Sequence, residues 1–388
     1  MDRPKRTPKR KSGTRDVLKL SLPKASQVYE LFWKFAAERQ NIFFRKLRND
    51  LIVTQDPILD EYKFTNAYRA SDRTSQYLIN NVLYTGPQTP EEIFFRCLIF
   101  KKFNRIGTWE LLQSKLGRDV SWSTYNYDEY NNILLEATSK GGCIYSAAYM
   151  HPSFGAGLPY KRKHQCHLKL IEMMMKDELP LKIHEAGSLA QVFKLIRGYT
   201  MIGDFLAYQY TTDLNYSSMI NFDEMDFTSA GPGAIGGISK CFEDLGDFHE
   251  NDIIKMVADR QELEFEARGI QFYNLWGRRL QLIDIQNLFC ETDKYSRVAL
   301  PEIRGKSEGV RIKQKYKLSR SAPVKPYYPP KWGLNSRLET IPPVPLVTHL
   351  PEGPRFCPQR EVQSDSHTCA TPVQPSGNQG DLTLPGIL

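Results

Sequence analysis

Between residues 25 and about 318 the apolar side chains recur at three- and four-residue spacing, and few stretches alternate at two. A stripe of that period fits one face of an α-helix and no face of a strand. Val28, Leu31, Phe32, Phe35, Ile42 and Phe43 mark one amphipathic helix. Phe64, Tyr68, Ser71, Ser75, Leu78 and Val82 mark a second. Residues 90–100 open with proline and two acids, as a helix N-terminus does, and are apolar nearly all round, as a buried helix is. Leu189, Val192, Phe193 and Ile196 mark a further helix, and acid-rich 250–268 and apolar 280–290 two more. The expectation is an all-α domain of roughly ten helices.

The periodicity stops at both ends. Residues 1–24 hold a dense basic cluster from Arg3 to Lys11 with almost no apolar side chains, and read as a disordered basic arm. Such an arm is a nuclear-import signal, a nucleic-acid tether or a solubilising tail. From residue 319 to 388 proline dominates, as in 323–330 and 341–345. Proline lacks the N–H and fixes φ, so this zone is expected to be a mostly disordered tail of polyproline character. The formal net charge of +8 suits a polyanionic partner. Seven scattered cysteines without a CxxC pair argue for a reducing compartment. No apolar run is long enough to span a bilayer, so the protein is expected to be intracellular, nuclear in a eukaryote, with no membrane partner.

Two glycine-opened helices carry the chemistry-bearing pattern. Gly203 opens an aromatic helix that ends near Asp213, and Gly231, Gly233, Gly236 and Gly237 stand at the start of another. Exposed N–H groups at a helix N-terminus bind anions, and glycine lets a phosphate approach. Asp213 beside such ends is a candidate base, nucleophile or electrostatic stabiliser, or simply a cap for the next turn.

Arg39 interrupts the apolar stripe of the first helix and is either half of a structural ion pair or an anion clamp. Arg45 follows on the same helix, where solvent exposure is the default. Asn66, Arg69, Asp72, Arg73 and Gln76 form a mixed polar stripe on the second helix, a solvated face or a phosphate-reading surface. Asn287, Glu291 and Lys294 share one face near the end of the helical zone, where Glu291 and Lys294 form a surface pair or part of a site. His164, Cys166 and His167 lie in a basic stretch without zinc spacing, read as a loop and not a metal site. GlyLysSer at 305–307 lacks the first glycine of a phosphate-binding loop, because position 300 is Leu.

Several stretches together resemble one family. They are GluArgGlnAsnIlePhePheArg (38–45), ThrGlnAspProIleLeu (54–59), PheThrAsnAlaTyrArgAlaSerAspArgThrSerGlnTyr (64–77), GlyAspPheLeuAlaTyrGln (203–209), AspLeuAsnTyr (213–216), AlaGlyProGlyAlaIleGlyGlyIle (230–238) and GlnAsnLeuPheCysGluThrAspLysTyr (286–295). The family is the helical domain attached to 5-hydroxymethyluracil DNA kinases, related to the alpha-glutamyl/putrescinyl thymine pyrophosphorylases. The resemblance covers most of residues 25–318. It implies a multi-helix fold similar to helix-hairpin-helix DNA glycosylases and a role in thymine hypermodification, where an amine displaces an activated group on a hydroxymethylated uracil in DNA. The kinase half is a separate P-loop domain, so the partners it implies are DNA and a separate P-loop kinase. No cofactor and no metal are expected.

On this basis Asp213, Arg39, Glu291 and Lys294 are the expected catalytic residues. Arg45, Asn66, Arg69, Asp72, Arg73, Gly203, Gln209, Gly231, Gly233, Gly236, Gly237 and Tyr295 are expected to face nucleic acid. Arg39, Arg69 or Arg73, Asp213 and the Glu291–Lys294 face are expected to converge on one cleft. The function expected is a DNA-binding helical protein acting on, or presenting, a hydroxymethyluracil base. A non-catalytic DNA-binding module and a base-excision glycosylase are the alternatives.

Overall fold

The first stripe forms α1 (Gln27–Leu47) in the computed structural model, started by Ser26, whose Oγ accepts the Val28 N–H at 3.1 Å. Residues 20–147, 162–306, 309, 311–316 and 325–346 are described. The basic cluster at 3–11 and the chain from 347 onward lie outside the described residues. After α1 come α2 (Pro57–Glu61), α3 (Arg73–Leu78), α4 (Pro90–Phe103), α5 (Ile106–Leu116), α6 (Tyr127–Ser139) and α7 (Lys163–Lys176). Then follow α8 (Leu179–His184), α9 (Leu189–Arg197), α10 (Asp204–Asn215), α11 (Pro232–Cys241), α12 (Glu250–Asp259), α13 (Gln261–Ala267) and α14 (Leu282–Ala299). Among the described residues one two-stranded antiparallel sheet forms, β1 (Lys24–Ala25) with β2 (Phe242–Asp244), which sets Lys24 opposite Asp244 and Ala25 opposite Phe242. The fold is all-α.

Two layers share one core. In the first, α14 is central and packs on α1, α11 and α12. Phe32 of α1 meets Phe289 of α14 with ring centres 4.7 Å apart, and Phe35 meets Tyr295 at 5.2 Å. In the second, α4 is buried nearly all round because α5, α7, α8 and α10 surround it. Thr89 caps it and Asn104 ends it in the left-handed conformation. Helices α9 and α10 form a hairpin.

The glycines of α11 serve packing. A Cβ at Gly237 would fall on the backbone carbonyl of Phe289, and one at Gly233 on the Cys290 sulfur. Only glycine lets α11 and α14 approach this closely. Gly231 is closed off by the Phe205 ring, and Gly236 is buried.

Three sequence expectations change. The stripe from Phe64 to Val82 is not one helix. It is an extended stretch, a 3-10 turn (Arg69–Ser71), α3 and a π turn (Ile79–Leu83). Asn66 and Asp72 break it: the Asn66 N–H donates to Asp72 Oδ1 at 2.8 Å and Asn66 Nδ2 to the Ser71 carbonyl at 2.8 Å. Short polar side chains compete in this way with the helical ladder. His164, Cys166 and His167 lie on buried faces of α7 and not in a loop.

The boundary at residue 318 also moves. Residues 325–346 pack on the domain, with Tyr328, Leu334, Leu338 and Val344 buried. Tyr328 shares a 2.8 Å hydrogen bond with Ser71, and Lys331 Nζ donates to the carbonyls of Ser217 and Ile220 at the end of α10. Proline forbids a helix here but not burial of the aromatic and aliphatic side chains between prolines. At the other end, residues 20–24 belong to the fold through Ser21, whose N–H donates to Asp247, and through β1.

Candidate functional site

The broken segment 62–72 is clamped between α1 and α14. Arg39 of α1 donates from Nε to the Thr65 carbonyl at 2.8 Å and from Nη2 to Asn66 Oδ1 at 3.2 Å. Glu291 of α14 accepts the Thr65 N–H at 3.0 Å and the Lys294 ammonium at 2.7 Å. Lys294 also donates to the Lys63 carbonyl at 2.8 Å and lies 4.5 Å over the Phe64 ring. Three side chains from two helices thus hold one stretch of extended backbone.

Asp72 is the electrostatic centre of this cluster. It is half-buried, and burial pushes its carboxyl up to about 7. The Asn66 N–H opposes that rise, the Glu291 charge adds to it, and Arg39 and Arg69 oppose it. Burial lowers the Arg39 pKa, while Glu291, Asp72 and Glu38 act to raise it. Asp72 Oδ2 and Arg39 Nη1 carry no hydrogen bond among the described residues. The cluster therefore holds, beside the buried Arg39, a carboxyl raised to about 7.

The inner side of the same segment is a closed ion network. Arg69 pairs with Asp213 at 2.7 Å, and Lys101 of α4 pairs with Asp213 at 3.2 Å. Arg69 Nε donates to Gln209 Oε1 at 3.0 Å, and the Arg69 N–H to Asp284 Oδ1 at 2.7 Å. Burial lifts Asp284 to about 7, against the amide hydrogen bonds from Gln281 and Arg69. Asp213 has 0 % exposure and Arg69 1 %. Paired charges at that depth hold structure together, since removing one partner strands the other.

The expected site residues therefore sort by side. Arg39, Asn66, Asp72, Glu291 and Lys294 come together at the outer cluster. Arg69, Gln209 and Asp213 lie beneath it, joined to it by residues 66–72. Arg73 is exposed in the first turn of α3. Tyr295 is buried, donating its hydroxyl to Asp56 and packing on Phe35 and Phe64.

Arg45, expected at the surface, is buried. Its Nη1 donates to Glu38 at 2.8 Å and to the Val53 carbonyl at 2.6 Å, and Nη2 donates to the Pro345 carbonyl. Gly203 is exposed at the start of α10, where the adjacent Asp204 pairs with Arg197 at 2.6 Å. That acid supplies the negative charge a helix N-terminus favours. Sequence reasoning missed Thr65, Lys101 and Asp284. A lysine in a helix apolar all round was the one available signal for Lys101.

Among the described residues no cluster of metal-ligating side chains occurs, and no helix is long and apolar enough to cross a membrane. Residues 26–305 match the family described as 5-hmdU DNA kinase, helical domain. A curated relative, the 5-hmdU DNA kinase of Bacillus phage SP10, is 27 % identical over 289 residues. The alignment covers 69 % of this chain and 45 % of that relative, so the chain spans less than half its length. No solved structure matches. All five residues of the outer cluster lie inside the matched range, and the chain belongs to the family of 5-hmdU DNA kinase helical domains.

Proposed function

We propose that this chain is the DNA-handling helical part of a thymine-hypermodification system. It holds a 5-hydroxymethyluracil base, bare or phosphorylated, at the Arg39–Asn66–Asp72–Glu291–Lys294 cluster. The observation that carries the reading is the family match, which spans every element contributing to that cluster.

The chemistry of the cluster suits such a ligand. A base must leave the duplex stack before an enzyme can reach it. The Arg39 guanidinium, held at Nε and Nη2, presents Nη1 to a phosphate oxygen. Asp72, with its pKa at about 7, is partly ionised at neutral pH and suited to accept a proton. On a phosphorylated base the step is a displacement at the methylene carbon. An amine nitrogen forms the C–N bond, the C–O bond to phosphate breaks, and phosphate leaves with the electron pair. The amine proton passes to Asp72 Oδ2. In this reading phosphorylation falls to a P-loop kinase; 305–307 lacks the glycine such a loop requires.

The test uses duplex DNA carrying 5-hydroxymethyluracil or its phosphate ester. The full chain is incubated with it and a panel of amines, and the nucleosides are analysed by mass spectrometry. A heavier base supports transfer. An unchanged base with tighter binding of the modified duplex supports a presenting role. An abasic site supports a glycosylase instead, and equal affinity for thymine and 5-hydroxymethyluracil duplexes with no product sinks the proposal.

A further inference from the structure

A second feature shares Lys294 with the outer cluster. A cavity of about 600 Å³ opens between the last turns of α14 and residues 309 and 311–314. Lys294, Arg297, Arg311 and Lys313 line it, with Ile312 and Gln314. Lys294 is matched by Glu291 at 2.7 Å and Arg297 by Asp293 at 2.5 Å. Arg311 and Lys313 are exposed and form no ion pair among the described residues. Asp293 is shared by Arg297 with Lys240, and among the described residues two of the four lining cations, Arg311 and Lys313, thus stand without a carboxylate partner. The C-terminal end of α14 adds a partial negative charge of about one half, too little to cancel them.

The segment carrying those cations is fixed. The Lys63 N–H donates to the Gln314 carbonyl at 3.0 Å and the Tyr316 N–H to the Glu61 carbonyl at 2.8 Å. Tyr62 and Lys315 form an antiparallel bridge. Ile312 is buried, and Arg311, Lys313, Gln314 and Lys315 are all exposed. Lys315 pairs with Glu61 at the surface. Exposed cations set along one edge raise the local positive potential and attract a polyanion.

We propose that this row and its cavity bind the phosphodiester backbone of DNA beside the base held at Arg39 and Asp72. The inference rests on the proposed function and adds the path of the strand. A single phosphate would be satisfied by two of these cations. A row running from Lys294 and Arg297 through Arg311 and Lys313 fits a chain of them.

The experiment measures affinity of the full chain for a fluorescent 5-hydroxymethyluracil duplex across a salt series. Arg311→Ala/Lys313→Ala is compared with wild type and with a control, Lys115→Ala/Lys255→Ala, that removes two exposed cations elsewhere. The expected result is a fall in the slope of log K against log salt of about 2 for the first variant, with none for the control. Wild-type affinity and slope in the first variant, while wild type itself binds DNA, overturn the groove and leave the functional proposal standing. An equal loss in the control also overturns it, as charge without a site. No DNA binding by wild type overturns both. If pyrophosphate or a mononucleotide stabilises wild type but not the variant, and DNA affinity is unchanged, the site takes a free phosphate and the backbone assignment fails.

Discussion

Replacing Lys102 by methionine should make the protein more stable, and most so at and below pH 7. Lys102 is in α4, surrounded by helices, with 0 % exposure. Its ammonium has no hydrogen-bond partner among the described residues and lies 5.2 Å from the Tyr210 ring centre. Burial, aided by the nearby Lys163 charge, brings its pKa from 10.5 to about 7. A base whose folded pKa lies below its unfolded one carries a penalty that is full below the folded value. The penalty fades as pH rises toward the unfolded value. At about 1.4 kcal/mol per pH unit, the span from 7 to 10.5 sets an upper limit on the order of 5 kcal/mol. The Tyr210 ring returns about 1 kcal/mol of that. Methionine has similar length and no charge to desolvate, so a net gain on the order of 2 kcal/mol or more is expected at pH 7. Urea unfolding followed by circular dichroism at pH 6, 7 and 9 is the assay. The wild type alone should gain about 2 kcal/mol from this group between pH 7 and pH 9. The advantage of the variant should shrink over the same interval. A variant less stable than wild type, or an advantage independent of pH, would refute the reasoning by showing the amine to be solvated or partnered.

Other consequences follow from the same geometry. Arg45→Leu strands Glu38 and should cost about 3–5 kcal/mol in urea unfolding, as a broken buried ion pair does. Gly237→Ala drives a Cβ into the Phe289 carbonyl and should lower Tm sharply, whereas Gly203→Ala meets open space and should change stability by no more than about 1 kcal/mol. The reverse order of those two would mean that α11 does not depend on close approach to α14. A chain cut after residue 318 loses the buried Tyr328, Leu334 and Val344, and should unfold at lower temperature than one cut after 346.

The helices were legible because a 3.6-residue apolar stripe has one simple solution. The stripe at 28–43 and the all-round apolar run at 90–100 appear in the structure as α1 and α4. The run from 64 to 82 misled because its apolar spacing is helical, while Asn66 and Asp72 spend their side chains on backbone groups and stop the ladder. Proline density concealed the packed 325–346 segment, since periodicity cannot register Tyr328 reaching Ser71 across the fold. The polar residues were recognisable as a set, but not which of them face inward. Arg69 and Arg73 are four apart and look alike in sequence. One is sealed against Asp213 and the other lies in solvent.

That division gives Asp213 and Asp72 opposite signatures. Asp213 lies against two buried cations, Arg69 and Lys101. Asp213→Asn removes the compensating charge from both, so a loss of about 3–5 kcal/mol is expected. Arg69 also donates its N–H to Asp284, and residues 66–72 hang between that anchor and the Arg39–Glu291 clamp. Activity and stability should therefore fall together in this variant, because the segment that carries Asp72 loses its inner support. Asp72 behaves the other way. Its folded pKa of about 7 exceeds the ordinary 3.8, so the folded state prefers the protonated form. The penalty is absent below 3.8, grows as pH rises, and is full above 7. Asp72→Asn keeps an oxygen for the Asn66 N–H and removes the charge. It should raise Tm at pH 8 and leave it nearly unchanged at pH 4, while abolishing transfer to a phosphorylated 5-hydroxymethyluracil duplex without loss of DNA affinity. Thermal scans at the two pH values, paired with nucleoside mass spectrometry, separate the roles. If Asp213→Asn keeps wild-type stability and loses product, the proton acceptor is the inner carboxylate and the outer assignment is wrong.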